Sequence, residues 1–259
     1  MENNHLTDIK DLYSDNNSLT LCWTGNAGWL LSFDKHLVAI DLDLLSERLW
    51  DFPLAIDELA AMLEFVFITH DHDDHFNTDT AKYLVDQGSS MFVLPHSCSA
   101  RVKETGIPDS RIIWTKPYVE LKLTDWLRFA TSRALHGHLK HSVYSKANFA
   151  DCGYLLTIGT KRLFHPGDTV LLQEHLTIKD IDLLFVSATE HNTHIEGSVT
   201  LIESIKPSKI IAQHFGTYPV TEKNAFWTTG YEEDLKKALT VEYRQRYTIP
   251  KPGEIYRID

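Results

Sequence analysis

The stretch THDHDDH, residues 69–75, directly follows FVFI, residues 65–68, a short run of aromatic and branched apolar residues. Such a run, bounded by polar residues, predicts a buried strand whose carboxyl end carries the next residues to the edge of a sheet. Neutral imidazoles and carboxylates are ligands for zinc, iron and manganese, and crowding them together without a cation is costly. We therefore interpret the stretch as a metal site. The alternative is a solvated loop that begins a helix, with Asp74 or Thr78 as the cap.

The spacing within this stretch predicts two ions rather than one. His70 and His72 are two residues apart, so they point the same way from an extended segment. Asp74 and His75 are adjacent, and a turn into the next helix would bring both to a second ion.

Composition limits the classes of function. The 259 residues suit one large α/β domain or two small ones, and 43% hydrophobic with 24% charged residues is ordinary for a globular protein. The net charge of -11 argues against nucleic acids or anionic membranes as partners, which usually require a basic face. Three cysteines without CxxC spacing indicate free thiols in a reducing compartment. Because no signal sequence or membrane-spanning run is evident, we expect a cytoplasmic protein.

Strand and helix patterns alternate along the chain. Two hairpins are predicted, joining residues 19–23 to 28–33 and 154–158 to 162–164 across short turn-forming segments. Further strands are predicted at residues 37–40, 65–68, 91–94, 112–114, 119–123, 127–131, 183–186, 209–212 and 247–258. Helices are predicted at residues 56–63, 78–87, 97–105, 199–205 and 231–241. No linker or repeat divides the chain, so we expect one domain over residues 1–259, with a core at about 19–258.

Several of these strands are followed closely by a histidine or an aspartate. This holds for the strands that end near residues 69, 131, 164 and 212. The carboxyl ends of strands in α/β proteins form the edge at which ligands bind. We therefore expect these four strand ends to meet at one site.

Taken together, these elements resemble the metallo-β-lactamase superfamily. They are His70-x-His72-x-Asp74-His75, a later isolated histidine, Asp168 within Gly167-Asp168-Thr169, and a last histidine, His214. Residues 23–29, 164–169 and 211–215 look most like the branch of L-ascorbate-6-phosphate lactonase and related metal-dependent hydrolases. The resemblance covers roughly residues 19–258. It implies an α/β fold of four layers, an αββα sandwich in which helices flank two mixed sheets.

The resemblance also implies the metal ligands. One ion would be bound by His70, His72 and a third histidine, the other by Asp74, His75 and His214, with Asp168 as the bridge. Family members place the third histidine in an Ala-x-His step, which Ala134-Leu135-His136 fits best, with His138 and His141 as alternatives. The cofactors would be two divalent ions, zinc or manganese, and iron also suits these residue types.

Other residues have two interpretations each. Asp41 resembles a carboxylate that orients a ligand histidine, or else it caps a loop. His191 and His194 either contact substrate or support a ligand, and His165 lines the pocket or packs in the core. His96 caps a helix or supports a ligand, whereas His5 and His36 are expected at the surface.

These features predict a hydrolase. Two ions lower the pKa of a shared water from about 15.7 to near 7, so a metal-bridged hydroxide would attack a small polar ester, lactone or phosphorylated substrate. Asp74 would orient the hydroxide, and His194 would protonate the leaving group, with His165 and Lys140 as alternatives. The sequence contains no Gly-x-Ser-x-Gly element, so it does not indicate a serine nucleophile.

Three other functions remain open from the sequence. They are a phosphodiesterase or nuclease of the same superfamily, a di-iron redox protein, and a metal-binding protein without catalysis. The lactonase-like branch implies a small-molecule substrate and association into a homo-oligomer.

Overall fold

The computed structural model describes residues 8–13, 18–136 and 148–259. The chain divides into two compact units, one of residues up to Thr115 together with Lys251–Asp259, the other of Lys116–Pro250. Within the described residues each unit contains one seven-stranded mixed sheet and its own helices. The predicted α/β class with two mixed sheets is therefore confirmed. The single domain over residues 1–259 stays a prediction.

The first unit is built on a sheet whose last strand comes from the end of the chain. Its elements are β1 Leu19–Gly25, β2 Gly28–Phe33, β3 His36–Ile40, α1 Ile56–Met62, β4 Phe65–Phe67, α2 Thr78–Gln87, β5 Met91–Pro95, α3 Ser99–Thr105, β6 Ile112–Thr115 and β14 Ile255–Ile258. The strand order is β14-β1-β2-β3-β4-β5-β6, antiparallel from β14 to β3 and parallel from β3 to β6. Because β1, β3 and β4 run in the same direction, the residues that follow them lie at one edge of this sheet.

The helices of this unit are amphipathic and cover the sheet with their apolar faces. Leu59 of α1, Leu84 of α2 and Val102 of α3 are all buried in one hydrophobic cluster with the strands. The helix after the histidine-rich stretch is capped by Asn77, whose side chain accepts a hydrogen bond from the Thr80 amide at 2.7 Å. The sequence-based alternative of Asp74 or Thr78 as this cap is therefore wrong.

The second unit has the same sequence of pairing types in its sheet. Its elements are β7 Glu120–Lys122, β8 Leu127–Arg133, β9 Cys152–Ile158, β10 Lys161–His165, β11 Leu183–Val186, α4 His194–Ile205, β12 Lys209–Ala212, α5 Ala225–Thr228, α6 Glu232–Ala238, α7 Val241–Arg246 and β13 Tyr247–Thr248. Strands β7 to β10 form an antiparallel meander, and β10, β11, β12 and β13 pair in parallel. The carboxyl ends of β8, β10, β11 and β12 therefore lie at one edge of this sheet.

Three predicted elements differ from the structure. The helix expected at residues 199–205 begins five residues earlier, as α4, and brings Glu196 into its first turn. The helix expected at residues 231–241 ends at Ala238, because Leu239 is extended, and a separate helix, α7, begins at Val241 with the Thr240 side chain as its cap. The strand expected at residues 247–258 is divided into β13 and β14, which belong to different sheets. Two prolines, at positions 250 and 252, lack the amide hydrogens that a continuous strand would need.

The three cysteines are buried and free. Burial raises the pKa of the Cys22 and Cys152 thiols to about 12, so both stay protonated and unreactive near neutral pH. Among the residues that the structure describes, no helix has the length and apolar character needed to cross a membrane.

Candidate metal centre

In the first unit, the histidine-rich stretch follows β4 at the carboxyl edge of the sheet. His70 and His75 are buried, with exposures of 2% and 1%, whereas His72 is exposed. The ring centroids of His70 and His72 are 4.6 Å apart, and those of His70 and His75 are 4.1 Å apart. The structure thus brings the three histidines of the motif together. The division of the motif between two ions, with His70 and His72 on one and Asp74 and His75 on the other, stays a prediction.

Asp41 follows β3 and fixes two of these rings, His75 directly and His70 through Thr69. Its carboxylate accepts hydrogen bonds from the Thr69 amide at 2.8 Å, the Thr69 hydroxyl at 2.7 Å and Nδ1 of His75 at 2.7 Å. Because the Thr69 hydroxyl donates to Asp41, its oxygen accepts from Nδ1 of His70, at 3.0 Å. Both histidines therefore carry their proton on Nδ1 and a lone pair on Nε2, the form in which imidazole binds a metal. Asp41 thus makes the contact expected from the sequence.

Asp74 is held by a residue that the sequence analysis overlooked. The side-chain amide of Asn26 donates to Oδ2 of Asp74 at 2.9 Å and to its main-chain oxygen at 3.3 Å. The same Oδ2 lies 3.5 Å from Nε2 of His75. Asn26 is buried in the turn between β1 and β2 with φ 48°, a left-handed conformation that asparagine tolerates better than most residues. An asparagine after glycine at a tight turn is explained by the turn alone, so the sequence could not reveal this second role.

In the second unit, four residues at strand ends form one cluster, in which three histidines surround a carboxylate oxygen of Asp168. The distance to Oδ2 of Asp168 is 3.3 Å from Nε2 of His136, 2.7 Å from Nε2 of His191 and 3.1 Å from Nε2 of His214. These residues follow β8, β10, β11 and β12. Asp168 and the His191 and His214 rings are at most 3% exposed, whereas the His136 side chain is 24% exposed. Three of the four residues were assigned from the sequence, and His191 is the addition.

The short helix α5 orients two of these histidines. Nδ1 of His214 donates to the main-chain oxygen of Trp227 at 3.0 Å, and Nδ1 of His191 donates to that of Phe226 at 3.3 Å. Carbonyls in the last turn of a helix have no intrahelical partner, so the two imidazoles satisfy groups that would otherwise need other donors. His214 itself adopts a left-handed conformation, with φ 65°, as does Asp41 in the first unit, with φ 44°. Such strain is found where a site fixes its side chains.

Burial lowers the pKa of His191, and this effect outweighs the opposing attraction of the Asp168 carboxylate. The buried ring therefore favours the neutral form. With the proton on Nδ1, a neutral His191 presents the lone pair of Nε2 towards Oδ2 of Asp168.

The other histidines singled out from the sequence have separate environments. His165 is buried, packs on Phe185 and accepts from the Gly167 amide at 3.3 Å, which favours its interpretation as a core residue. His194 begins α4 and packs edge-on against Tyr231, at 5.5 Å between centroids. Within the described parts of the chain, His194 makes no hydrogen bond or ion pair with Asp168 or with the three histidines around it. Its role as general acid stays a prediction.

Two surface histidines have ordinary partners. His36 lies 2.7 Å from a Glu64 oxygen, and the exposed His96 stacks on Trp114. Residues 137–147 are outside the described residues, and so are the alternatives His138, His141 and Lys140; His5 also lies outside them.

The donor chemistry of each cluster fits divalent metal. One nitrogen each from His136 and His191 and one Asp168 oxygen lie within 4.8 Å of one another. The first unit gathers the nitrogens of His70, His72 and His75 with the Asp74 carboxylate. Neutral imidazole and carboxylate are the ligands of zinc, manganese and non-haem iron, and the thiolates typical of closed structural zinc sites are absent from both clusters.

Comparison with known proteins identifies relatives along nearly the whole chain. The profile of the beta-lactamase superfamily domain matches residues 40–215. A UPF0173 metal-dependent hydrolase of Desulforamulus reducens is 22% identical over 249 residues, which cover 93% of this chain and 100% of that protein.

Solved structures share the fold. A metallo hydrolase from the archaeon Ignicoccus hospitalis superposes with a TM-score of 0.69 and 17% identity, over 93% of this chain and 99% of that one. A di-iron β-hydroxylase from Streptomyces venezuelae superposes with a TM-score of 0.70 and 11% identity, over 95% of this chain and 55% of that one. At these identities the likeness concerns the fold alone.

Proposed function

The chain belongs to the beta-lactamase superfamily, and from this we propose that it is a metal-dependent hydrolase that uses both clusters of ligands. The proposed ligands are the seven assigned from the sequence: His70, His72, Asp74, His75, His136, Asp168 and His214. The ions proposed are two, zinc or manganese, with iron as the third candidate. The named hydrolase relative in Desulforamulus reducens, whose full length this chain covers, supports the hydrolase assignment.

The observation that carries this proposal is the direction of the imidazole protons. His70 and His75 donate from Nδ1 to Thr69 and Asp41, and His214 donates from Nδ1 to the Trp227 carbonyl. Each neutral ring therefore presents a lone pair at Nε2, and for His75 and His214 this nitrogen is 3.5 Å or less from a carboxylate oxygen. A nitrogen lone pair that faces a carboxylate is repelled by it unless a cation lies near both groups.

Bound divalent metal would supply water of lowered pKa and would polarise the bond to be cleaved. The chain's own residues supply orientation. Asn26 holds Oδ2 of Asp74, a carboxylate that is 19% exposed and so can accept a proton from an attacking water. Asp41 and Thr69 fix the neighbouring rings in one tautomer, which prevents them from turning away from the reacting groups.

For the substrate we propose a small polar ester, lactone or phosphorylated compound, on the basis of the lactonase-like motifs. A phosphodiester is the alternative within the same chemistry, because sites of this type also serve phosphoryl transfer. A di-iron oxidative function is the alternative of another class, and the hydroxylase from Streptomyces venezuelae shows that the fold accommodates it. Association into a homo-oligomer and a cytoplasmic location stay sequence-based predictions.

A metal analysis followed by an activity screen tests the proposal. Protein purified without added metal is analysed for bound metals by inductively coupled plasma mass spectrometry. It is then stripped of metal and reloaded separately with zinc, manganese or ferrous iron. Each form is assayed on lactones, carboxylic esters, sugar phosphates and bis(p-nitrophenyl) phosphate. We expect turnover of a lactone or ester with zinc or manganese. Activity confined to the phosphodiester would favour the first alternative, and tightly bound iron with no hydrolysis would favour the second.

Asp168→Asn is the variant that links activity to metal. It removes the negative charge on which three histidines converge, so we expect loss of bound metal and of turnover together. Asp182→Asn is the matched control, because Asp182 in the same unit accepts the Arg162 amide at 2.8 Å and an amide oxygen can replace it. An Asp168→Asn protein that retains full metal content and activity would contradict the proposal.

A further inference from the structure

His191 has surroundings that resemble those of His214 in four respects. Both rings are buried, both follow neighbouring parallel strands of one sheet, and both direct Nε2 towards Oδ2 of Asp168. Both also donate from Nδ1 to α5, to the consecutive carbonyls of Phe226 and Trp227. The fold therefore orients two histidines by one device.

The carbonyl contact decides which nitrogen of His191 carries the lone pair. A main-chain oxygen only accepts hydrogen bonds, so the ring nitrogen that faces Phe226 must be protonated. In a neutral ring the other nitrogen, Nε2, is then bare, and it lies 2.7 Å from a carboxylate oxygen. An unprotonated nitrogen at this distance is repelled by the carboxylate. A cation between the two groups would attract both and remove the repulsion.

The position of His191 also suits shared coordination. Its ring centroid is 5.0 Å from that of His136 and 5.3 Å from that of His214, so it lies beside both proposed ligands. One nitrogen from His191, one from His136 and an oxygen of Asp168 are mutually within the 4.8 Å that a common ion would span.

From this geometry we infer that His191 is an additional metal ligand of this chain, through Nε2, on an ion that Asp168 also binds. The inference rests on the proposed function, since it requires that the second unit's cluster binds metal. It makes the donor set of this cluster three histidines and one carboxylate. The competing arrangement is a doubly protonated His191 that donates from Nε2 to Asp168 and from Nδ1 to Phe226.

The two arrangements differ in what is bonded to Nε2, and nuclear magnetic resonance distinguishes them in the unaltered protein. Metal-free protein labelled with ¹⁵N at histidine is loaded with ¹¹³Cd²⁺, and one-bond ¹¹³Cd–¹⁵N couplings are measured. We expect such a coupling at Nε2 of His191, together with an N–H correlation at its Nδ1. An N–H correlation at Nε2 of His191, without coupling to cadmium, overturns the inference.

Variants provide the assignment and an independent measure. His191→Asn should remove one ¹¹³Cd–¹⁵N coupling and weaken binding of ¹¹³Cd²⁺ by at least about tenfold in competition with a chelator. His175→Asn is the matched control, because His175 is an equally buried histidine of the same unit whose Nε2 lies 2.9 Å from the Arg133 carbonyl, away from the cluster. It should leave all couplings in place.

The outcomes separate this inference from the proposed function. Couplings at His136 and His214 but none at His191 overturn the inference alone. No cadmium coupling at any histidine overturns both.

Discussion

The side-chain amide of Asn26 donates a hydrogen bond to Oδ2 of Asp74, across 48 residues of sequence and at 2.9 Å. Asn26 lies in the turn after β1, and Asp74 lies beyond β4. One short turn therefore fixes the carboxylate of Asp74, the assigned carboxylate of the first unit, which is partly exposed.

Replacing Asn26 by glycine tests this contact without straining the turn. Glycine adopts the left-handed conformation freely, so the hairpin should form while Asp74 loses its donor. We expect metal affinity to fall by roughly 10- to 100-fold, measured by competition with a chelator. Asp34→Gly is the turn-matched control, since Asp34 has φ 45° in the next hairpin. Equal affinities in the two variants would show that the contact with Asp74 is dispensable.

Asp41 is the group on which the tautomers of His70 and His75 depend. Asp41→Asn keeps the shape and tolerates φ 44°, but an amide cannot accept from the Thr69 amide, the Thr69 hydroxyl and His75 together as the carboxylate does. We expect metal binding to weaken by roughly 10- to 100-fold, measured by isothermal titration. Asp43→Asn, in the same loop and equally buried, is the comparison that should retain affinity.

Gly230 supports the backbone at His214. A Cβ atom added there would lie 2.3 Å from Cβ of Phe215 and 3.1 Å from the His214 carbonyl oxygen, so the chain at His214 must move. We expect Gly230→Ala to cost about 1–3 kcal/mol in the free energy of unfolding and to weaken metal binding.

The control for Gly230 is another glycine of the same unit. At Gly197, inside α4, the nearest atom to an added Cβ is 3.4 Å away, so Gly197→Ala should gain about 0.5–1 kcal/mol. Urea denaturation measures both variants. A Gly230→Ala protein as stable as the parent would show that the backbone there adapts without cost.

His175 makes the metal-free protein sensitive to acid. Burial lowers its pKa in the folded state, while in the unfolded chain it titrates near 6.5. The unfolded state therefore takes up the proton first, so stability from this group is complete above about pH 6.5 and is lost as the pH falls towards the folded pKa.

His175→Gln should be less stable than the parent at pH 7.5 but should lose less stability between pH 6.5 and pH 5. Urea denaturation of the stripped proteins at several pH values gives this slope. Parallel curves for the parent and His175→Gln would refute the assignment.

The sequence predicted those features that depend on local pattern. Alternation and turn residues located the strands, and the spacing of His70 and His72 indicated that their side chains point the same way, which agrees with the 4.6 Å between their ring centroids. The approach of Asn26 to Asp74, and of His191 to Asp168, depends on the register of separate strands. No local signal distinguishes these two residues from a turn asparagine and a loop histidine. The division of residues 247–258 escaped prediction for the same reason, since only the pairing partners show that β13 and β14 belong to different sheets.

The strand β14 pairs with β1, so that Leu19 lies opposite Ile258 and Cys22 opposite Ile255. A ribosome makes β14 only after every residue of the second unit, although β1 is among the first segments to emerge. Until then, the outer backbone groups of β1 form an open edge that another chain can join. The sheet that positions Asn26 and Asp41 is thus completed last during synthesis, and the nascent first unit exposes an edge strand at which aggregation can begin.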